Sequence, residues 1–322
     1  LGVGTYFVIT TTIAILVAIF LASIISPGSI LDLTSLQEYH DLSEEDLEIK
    51  EGFSLDDIPN AVSNIIPRNP ISSYLEGQML SILVFAIIVG LSMAVFPKES
   101  VNPLLDVLEV IQKITLHILL ISMKIVPFAV FGLIVGMVAK VGIGTMVGMG
   151  AYMGTVILGL GVMLLVYTLI LKFVAKRPIF STFSKFRNPQ TVSFSTASSM
   201  ATMPVTLKTA EENLKIDSRI SKFVIPLGTT VNMDGTALYQ VIAVFFLAQL
   251  FAIELSMISI LVIIITSLLA SIGTPAVPGA GVIVLSTILI TVGIPPIGIL
   301  LLISIDRILD MIRTMVNVTG DL

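Results

Sequence analysis

Long, mostly apolar runs alternate with polar stretches along the chain, and their lengths predict membrane-spanning helices. One such run covers 5–26, a second covers 75–95, and a third, rich in glycine, covers 143–172. About 20 apolar residues in a helix cross the hydrocarbon core of a bilayer, so each run is long enough to span it. A longer amphipathic segment covers 103–139. The pattern predicts an all-α polytopic membrane protein.

Two further apolar segments are interrupted by residues that break helices. Residues 189–206 and 265–284 contain clusters of Ser, Thr, Pro and Gly. Backbone that leaves the helical path at membrane depth persists only where protein or water satisfies its polar groups. We therefore interpret each segment as a re-entrant helical hairpin with its tip near the middle of the membrane. A kinked helix or a surface loop is the alternative for either one.

A similar element follows each hairpin. Asn232-Met-Asp234 comes after the first, and Asn317-Val-Thr-Gly-Asp321 comes after the second. The order hairpin, helix, hairpin, helix is therefore repeated, and the intervening span gives the two copies opposite orientations. Inverted repeats with interrupted helices around a central site are typical of secondary transporters.

The last predicted helix, 295–322, carries the charges that such a site requires. At helical spacing, one stripe holds the polar residues Asp306, Asp310, Arg313, Thr314, Asn317 and Asp321. Other directions are taken by Ile308, Met311, Met315 and Val316. A charge at mid-bilayer costs about 3 kcal/mol or more, so it persists when it faces a polar cavity and pairs with another charge, a substrate or an ion. We interpret the stripe as a binding face.

Composition excludes several classes of protein. With 55% hydrophobic and 12% charged residues and a mean hydropathy of +1.04, the chain is not a soluble globular domain. It has no cysteine and therefore no disulfide framework or thiol chemistry. The net charge of -5 comes without a basic patch, so no nucleic-acid partner is expected. His40 and His117 are badly placed for catalysis, and no catalytic carboxylate pair is visible, so we do not expect an enzyme.

Charge also orients the chain in the bilayer. Basic residues collect on the cytoplasmic side of membrane proteins, so the acidic loop at 27–74 is expected outside and a basic loop inside. The basic cluster consists of Lys172, Lys176, Arg177, Lys185 and Arg187. The apolar run at Leu1 and the polar stripe beside Leu322 lead us to expect that the native protein contains further spans.

Four motifs, in this order, resemble the glutamate/aspartate transporter family, also called dicarboxylate/amino acid:cation symporters. They are the Ser-rich tip ending at Pro204, the Asn232-Met-Asp-Gly-Thr236 element, the tip at 273–281 and the element at 310–321. The resemblance covers essentially the whole chain, from the family's third transmembrane helix to part of its eighth; the family's first two helices are missing. It implies a secondary active symporter of the cell membrane that moves L-aspartate or L-glutamate with sodium ions by an elevator-type mechanism.

The same resemblance implies a homotrimer in the lipid bilayer, in which a transport domain with two re-entrant hairpins slides against a trimerisation scaffold. The predicted boundaries are 1–26 for the first transport-domain span, 27–74 for the extracellular loop, 75–140 for the scaffold, 141–188 for the next transport-domain span with the basic loop, 189–212 for the first hairpin, 213–250 for the broken helix, 255–293 for the second hairpin and 295–322 for the truncated substrate-binding helix.

An acidic amino acid carries one ammonium and two carboxylates, and the resemblance assigns a partner to each. Asp310 would bind the ammonium, and Arg313 would hold the side-chain carboxylate with its planar fork, which suits a carboxylate better than lysine does. The implied substrate-binding residues are Ser198, Ser199, Thr236, Val277, Gly281, Asp310, Arg313, Thr314 and Asn317.

The resemblance also implies about three sodium ions. The first site would use Gly228, Asn232, Asn317 and Asp321. The second would use backbone oxygens of Thr230, Ser271, Ile272 and Thr274, with Met233 as a further ion-binding residue. The third would use Phe7, Thr10, Thr11, Asn232 and Asp234. All of these supply oxygen ligands, which hard cations prefer.

One departure from the family bears on charge balance. Its members carry an additional arginine at a position equivalent to Ala197 or Met311, both of which are uncharged here. Our hypothesis is that Arg307 takes the place of that arginine and balances the charge of Asp310 in the empty carrier. Asp306, on the same stripe, is assigned to the same charge-balance group. A snorkelling role for Arg307 at the membrane surface is the alternative.

Other functions stay open at this point. A proton-coupled carrier of glutamate or of C4-dicarboxylates has the same fold, although a C4-dicarboxylate lacks the ammonium that Asp310 would neutralise. An ion channel also uses acidic rings and carbonyls. The interrupted hairpins and the Arg–Asp pair fit an occluded substrate better than free conduction.

Overall fold

The computed structural model describes residues 2–31, 69–75, 79–122 and 124–322, and this part of the chain is helical, without a β-strand. It divides into two compact units. The larger consists of 2–31 together with 140–322, and the smaller consists of the described residues from 69 to 139. Most of the predicted acidic loop lies outside the described residues.

Twelve α-helices follow one another in the described residues. They are α1 (Gly2–Ile25), α2 (Pro70–Leu75), α3 (Met79–Val95), α4 (Lys98–Ser122), α5 (Val126–Phe173), α6 (Ile179–Thr196), α7 (Ser199–Lys208), α8 (Ser218–Val231), α9 (Asp234–Leu250), α10 (Met257–Gly273), α11 (Ala280–Thr291) and α12 (Ile299–Asp321). Three helical stretches are long and apolar enough to cross a membrane: Gly2–Ile30, Met149–Phe173 and Ser218–Leu250.

Helix α9 is the centre of the larger unit, because every residue in it except Gln249 is buried. A helix that is buried on all sides belongs to the core rather than to a surface. Helix α1 packs along it through Ala14, Ala18 and Ala22, whose small side chains at four-residue spacing let the two backbones approach. Helices α10, α11 and α12 also pack against α9, and α5 contacts it through Tyr152 and Tyr167.

The end of α1 is fixed to the end of α9 by Gln249. The amide nitrogen of Gln249 donates to the carbonyl of Ala22 at 2.9 Å, and its amide oxygen accepts from the backbone N–H of Gly28 at 2.9 Å. One side chain therefore bonds both to a carbonyl in the last turn of α1 and to a backbone donor in the following turn.

Helices α6 and α7 form one helical hairpin, and helices α10 and α11 form another. The first begins at Ile179, ten residues before the predicted start at 189. The basic stretch was therefore interpreted wrongly: Lys185 and Arg187 lie on α6, not in a loop. Pro189 lies inside α6 without ending it. The first turns of α6 are polar, so hydropathy alone does not predict a helix there.

A second difference concerns the predicted boundary between the amphipathic segment and the glycine-rich span. Helix α5 continues through it for 48 residues, from Val126 to Phe173. No proline lies beyond its first turn, and its several glycines lower helix propensity without ending the helix.

A short π-helical turn at Thr209–Asn213 follows the first hairpin and leads to α8. The Glu211 carboxylate there accepts hydrogen bonds from the Ser221 and Ser218 hydroxyls at 2.8 and 2.9 Å. These hydrogen bonds, that of Ser221 first, lower the pKa of the Glu211 carboxyl group. Asp217 caps α8 by accepting the backbone N–H of Arg219 at 2.8 Å. The turn that links the first hairpin to α8 is thus held by polar contacts.

Candidate functional site

The tips of the two hairpins touch each other. Ala197 and Ser198 separate α6 from α7, while 274–279 separates α10 from α11. The Ser198 hydroxyl donates to the carbonyl of Ala276 at 2.8 Å, and the backbone N–H of Met200 donates to the same carbonyl at 3.3 Å. Ser198 also caps α7 by accepting the N–H of Ala201. The Ala276 carbonyl of the second tip therefore links the two tips through two hydrogen bonds.

The interruption between α8 and α9 lies beside the tips. Helix α8 ends at Val231, Asn232 and Met233 have non-helical backbone angles, and α9 begins at Asp234. The first turn of α9 is fixed to α12 by Asn317, whose amide oxygen accepts the N–H of Gly235 at 2.8 Å and whose amide nitrogen donates to Thr236 Oγ1 at 3.2 Å. These contacts bring the polar stripe of α12 to the place where α9 begins.

A cavity of about 20 Å³ lies where the tips, the interruption and α12 meet. Its wall consists of Ala197, Ser199, Met233, Thr236, Thr274, Pro275, Ala276, Val277, Gly281, Asp310, Arg313, Thr314 and Asn317. This volume is enough for about one water molecule. Eight of the nine predicted substrate-binding residues form part of the wall; Ser198 does not, because its hydroxyl caps α7 and binds Ala276.

Arg313 is the buried charge at this cavity, with 1% of its surface exposed. Its Nη2 atom lies 2.6 Å from Asp310 Oδ1, and its Nη1 atom lies 3.4 Å from Asp306 Oδ1. The ring of Tyr239 lies 4.2 Å from the guanidinium carbon, a favourable cation–π distance. The guanidinium is thus held by two carboxylates and one aromatic face, as a desolvated charge requires.

Asp310 is satisfied on both oxygens. Arg313 occupies Oδ1, and the backbone N–H of Gly279 in the second tip donates to Oδ2 at 2.9 Å. Gly279 adopts a φ of 76°, which a glycine reaches without strain. The predicted pairing of Asp310 with Arg307 is not seen: Arg307 is half-buried and makes no ion pair among the described residues, and Arg313 takes that place.

Gly281 lies against the guanidinium. A Cβ atom at this position would lie 2.9 Å from Arg313 Nη2 and 3.0 Å from its Cζ and Nη1 atoms. Only the absence of a side chain leaves room for the arginine. The sequence predicted Gly281 as a substrate-binding residue. In the structure, Gly281 leaves room for the Arg313 guanidinium because it has no side chain.

The predicted third sodium site forms a connected cluster. Thr11 Oγ1 donates to Asp234 Oδ1 at 2.6 Å, and Thr10 Oγ1 lies 3.2 Å from the carbonyl of Phe7 and 3.4 Å from Asn232 Oδ1. All five predicted ligands are buried. Helix α1 and the α8–α9 interruption therefore bring their oxygen atoms together.

The predicted first sodium site is brought together in part. Asn232 Nδ2 donates to Asp321 Oδ1 at 3.2 Å, and a Cβ on Gly228 would lie 2.6 Å from the same oxygen. Asp321 Oδ2 is buried and has no hydrogen-bond partner among the described residues. Asn317, the fourth predicted ligand, has its amide bound to the first turn of α9 instead.

The predicted second sodium site consists of backbone oxygens on α8 and α10 and stays a prediction; the structure shows what the side chains of these residues contact. Ser271 and Thr274 bond to carbonyls of their own helix, α10, and Thr230 bonds within α8. The carbonyl of Met233 accepts two N–H groups of the first turn of α9 at 3.0 and 2.9 Å, and Met233 lines the cavity between the tips and α12. Ile272 is partly exposed beside Ser271.

Two aromatic residues of the site were missed by sequence reasoning. Tyr239 lies on α9, three residues after Thr236, and supports Arg313. Tyr167 lies on α5 and donates its hydroxyl to Asp234 Oδ2 at 2.7 Å. The helical spacing from Thr236 was a usable signal for Tyr239, whereas nothing local distinguishes Tyr167 from other core residues.

Comparison with known proteins agrees with this geometry. A model of the sodium:dicarboxylate symporter family matches residues 1–322. The proton/sodium-glutamate symport protein of Bacillus subtilis is 33% identical over 316 residues, which cover 98% of this chain and 73% of that protein. An excitatory amino acid transporter of Caenorhabditis elegans is 30% identical over 363 residues, covering 98% and 70%. Human excitatory amino acid transporter 3 is 36% identical over 254 residues, covering 78% and 48%. The chain therefore belongs to the sodium:dicarboxylate symporter family, a family of membrane transporters and not of enzymes.

Proposed function

We propose that this chain carries L-aspartate or L-glutamate across the cell membrane together with sodium ions. The observation that carries the proposal is the buried pair of Arg313 and Asp310 at the contact of both hairpin tips. An acidic amino acid offers a carboxylate to the guanidinium and an ammonium to the carboxylate. It therefore replaces both halves of the pair at once, and no buried charge is left without a partner.

The same argument ranks the alternative substrates. A C4-dicarboxylate would engage Arg313 but would leave Asp310 without a cation, at the cost of an uncompensated buried charge. The relative from Bacillus subtilis is named a proton/sodium-glutamate symport protein, so proton coupling is the second candidate for the driving ion.

Substrate entry requires the second hairpin tip to move. A cavity of about 20 Å³ cannot hold an amino acid. Two contacts fix the tip on its two sides: Gly279 on Asp310, and Ala276 on Ser198. Because the substrate ammonium would compete with Gly279 for Asp310, we infer that the second tip is the gate and that both hairpins are re-entrant, with their tips near the membrane midplane.

Sodium coupling is supported by the oxygen-rich clusters beside the gate. The cluster at Asp234 and the pair of Asn232 and Asp321 each contain a buried carboxylate, and the backbone sites on α8 and α10 would complete a set of about three ions. The interruption of α8–α9 is shared between ion and substrate contacts, so that ion binding at Asn232 would favour the placement of Thr236.

The larger-scale proposals follow from membership of the family. We infer a homotrimer with the scaffold at 75–140, and an elevator movement of a transport domain made of 1–26, 141–188, both hairpins and the last two long helices. The protein would be a multi-pass protein of the cell membrane, surrounded by lipid.

The direct test is uptake of radiolabelled aspartate and glutamate into liposomes with sodium, proton and potassium gradients set independently. We expect uptake that requires an inward sodium gradient. Uptake driven by a proton gradient without sodium would favour the second candidate, and the absence of any acidic amino acid uptake would contradict the proposal.

Gly281→Ala is expected to weaken acidic substrate binding by about tenfold. Overpacking costs about 1–3 kcal/mol, and about 1.4 kcal/mol corresponds to tenfold. The added methyl group would displace the Arg313 guanidinium. Calorimetric titration with aspartate measures the effect. Gly161→Ala, at a site with open space around its Cα, is the control; equal affinity in both variants would show that the contact is not limiting.

Ser198→Ala is expected to open the second tip more readily. The variant loses the bond to Ala276, and one hydrogen bond contributes about 1 kcal/mol, or roughly fivefold in an equilibrium. A single cysteine at Pro278 would report opening through its rate of maleimide labelling, since the chain has no cysteine of its own. Ser195→Ala removes a hydroxyl that bonds only within α6 and serves as the control. Equal labelling rates in Ser198→Ala and Ser195→Ala would show that the Ser198 hydroxyl does not hold the second tip closed.

A further inference from the structure

The carboxylate of Asp234 receives two hydroxyl groups from different helices. Thr11 on α1 donates to Oδ1 at 2.6 Å, and Tyr167 on α5 donates to Oδ2 at 2.7 Å. The sequence predicted Thr11 as an ion ligand but gave α5 no part in the site. The contact therefore links the long helix α5 to the ion cluster.

Gly320 on α12 leaves the space that the Tyr167 hydroxyl occupies. A Cβ atom on Gly320 would lie 2.7 Å from the hydroxyl oxygen of Tyr167 and 3.0 Å from Asn232 Nδ2. Any other residue at 320 would therefore crowd the phenol. Tyr167 itself is buried, with 6% of its surface exposed. Its hydroxyl thus lies against Asp234 in the space that the missing side chain of Gly320 leaves.

The two hydroxyl contacts of Asp234 differ in what an arriving cation would do to them. Thr11 and Thr10 donate to oxygen atoms that are themselves predicted ligands. A threonine hydroxyl rotates and offers its lone pairs once a cation takes the place of its proton. Tyr167 bonds to the opposite oxygen, Oδ2, so its contact can persist while Oδ1 binds the ion.

We propose that Tyr167 is a positioning residue of a sodium site formed by Phe7, Thr10, Thr11, Asn232 and Asp234. Its hydroxyl fixes the Asp234 carboxylate so that Oδ1 faces the other ligands. Hydrogen-bond partners of metal-binding carboxylates orient them in this way, and their loss reduces metal affinity. The inference rests on the proposed sodium coupling and extends the site to α5.

Tyr167→Phe tests the role with little change in volume. Bound sodium raises the melting temperature of the purified protein, so the sodium concentration at half-maximal shift, without amino acid present, reports sodium affinity directly. Loss of an orienting partner costs about tenfold or more in metal affinity, and we expect the midpoint to rise by about that factor. Choline chloride at matched ionic strength separates sodium binding from a salt effect.

Tyr6→Phe is the matched control, because it removes the same atom from a tyrosine whose hydroxyl donates to the carbonyl of Gly320 at 3.3 Å rather than to a carboxylate. Its sodium midpoint should stay close to that of the parent. An unchanged midpoint in Tyr167→Phe would overturn the inference, as would an equal rise in both variants. A parent protein without any sodium-dependent shift would instead contradict the proposed function.

If Tyr167→Phe does not fold, Gly320→Ala repeats the test from the other side of the contact. The added methyl group keeps the phenol but displaces its hydroxyl from Asp234. An unchanged sodium midpoint overturns the inference. Because the methyl group would also lie 3.0 Å from Asn232 Nδ2, a raised midpoint is tested further with Asn232→Ala in the same background. A further rise supports the inference, and no further rise assigns the effect to Asn232 and overturns it.

Discussion

Arg313→Lys should reduce the affinity for aspartate or glutamate at least about 30-fold, because loss of one partner in a buried charge network costs about 2–5 kcal/mol. Lysine keeps the positive charge but offers a single point donor. It cannot reach Asp306 and Asp310 together, form a fork on a carboxylate or lie flat on Tyr239. Calorimetric titration at saturating sodium measures the loss.

Arg219→Lys is the control for this change, since Arg219 is exposed and, within the described part of the chain, forms its ion pair with Asp217, two residues away. It should bind substrate as the parent does. Substrate affinity that survives Arg313→Lys would mean that the guanidinium serves the fold alone, and the proposed substrate class would lose its main support.

Asp234→Asn should abolish sodium-dependent substrate binding. The carboxylate is fully buried and accepts two hydroxyl groups. The amide keeps the shape but removes the negative charge, and its NH₂ group faces a hydroxyl that must reorient. A buried cation site without that charge loses most of its affinity, so we expect a reduction of about 100-fold or more in sodium affinity. Sodium titration of aspartate binding checks this.

The control is Asp217→Asn, which makes the same change at the exposed start of α8, where asparagine also caps a helix well. Its sodium dependence should match the parent. Intact sodium dependence in Asp234→Asn would place the coupling ions elsewhere and would leave the Asp234 cluster as a structural feature.

Parts of this site could be predicted because local pattern determines them. Helical spacing alone puts Asp306, Asp310 and Arg313 on one face, and the structure buries all three. Asp310 and Arg313 line the cavity, and Asp306 pairs with Arg313. The break between α8 and α9 at Asn232–Met233 could be predicted because polar residues interrupt an apolar run there. Helix α9 then begins at the buried Asp234. In both cases the information lies within a few residues.

Other parts depend on which helices meet in space. Asp310 can pair with Arg307 or with Arg313 at the same separation of three residues, and only packing against Tyr239 and Gly281 selects Arg313. The contact of Tyr167 with Asp234 joins residues 67 positions apart. No periodicity within a single helix contains such information.

The close packing around the Arg313 guanidinium also limits how this carrier can be redesigned for substrates with an uncharged side chain. Truncating Arg313 would leave a cavity between the Tyr239 ring and the backbone of Gly281. It would also leave the buried Asp306 carboxylate without a positive partner. A redesign would therefore have to neutralise Asp306 and fill the space beside Gly281 in the same variant.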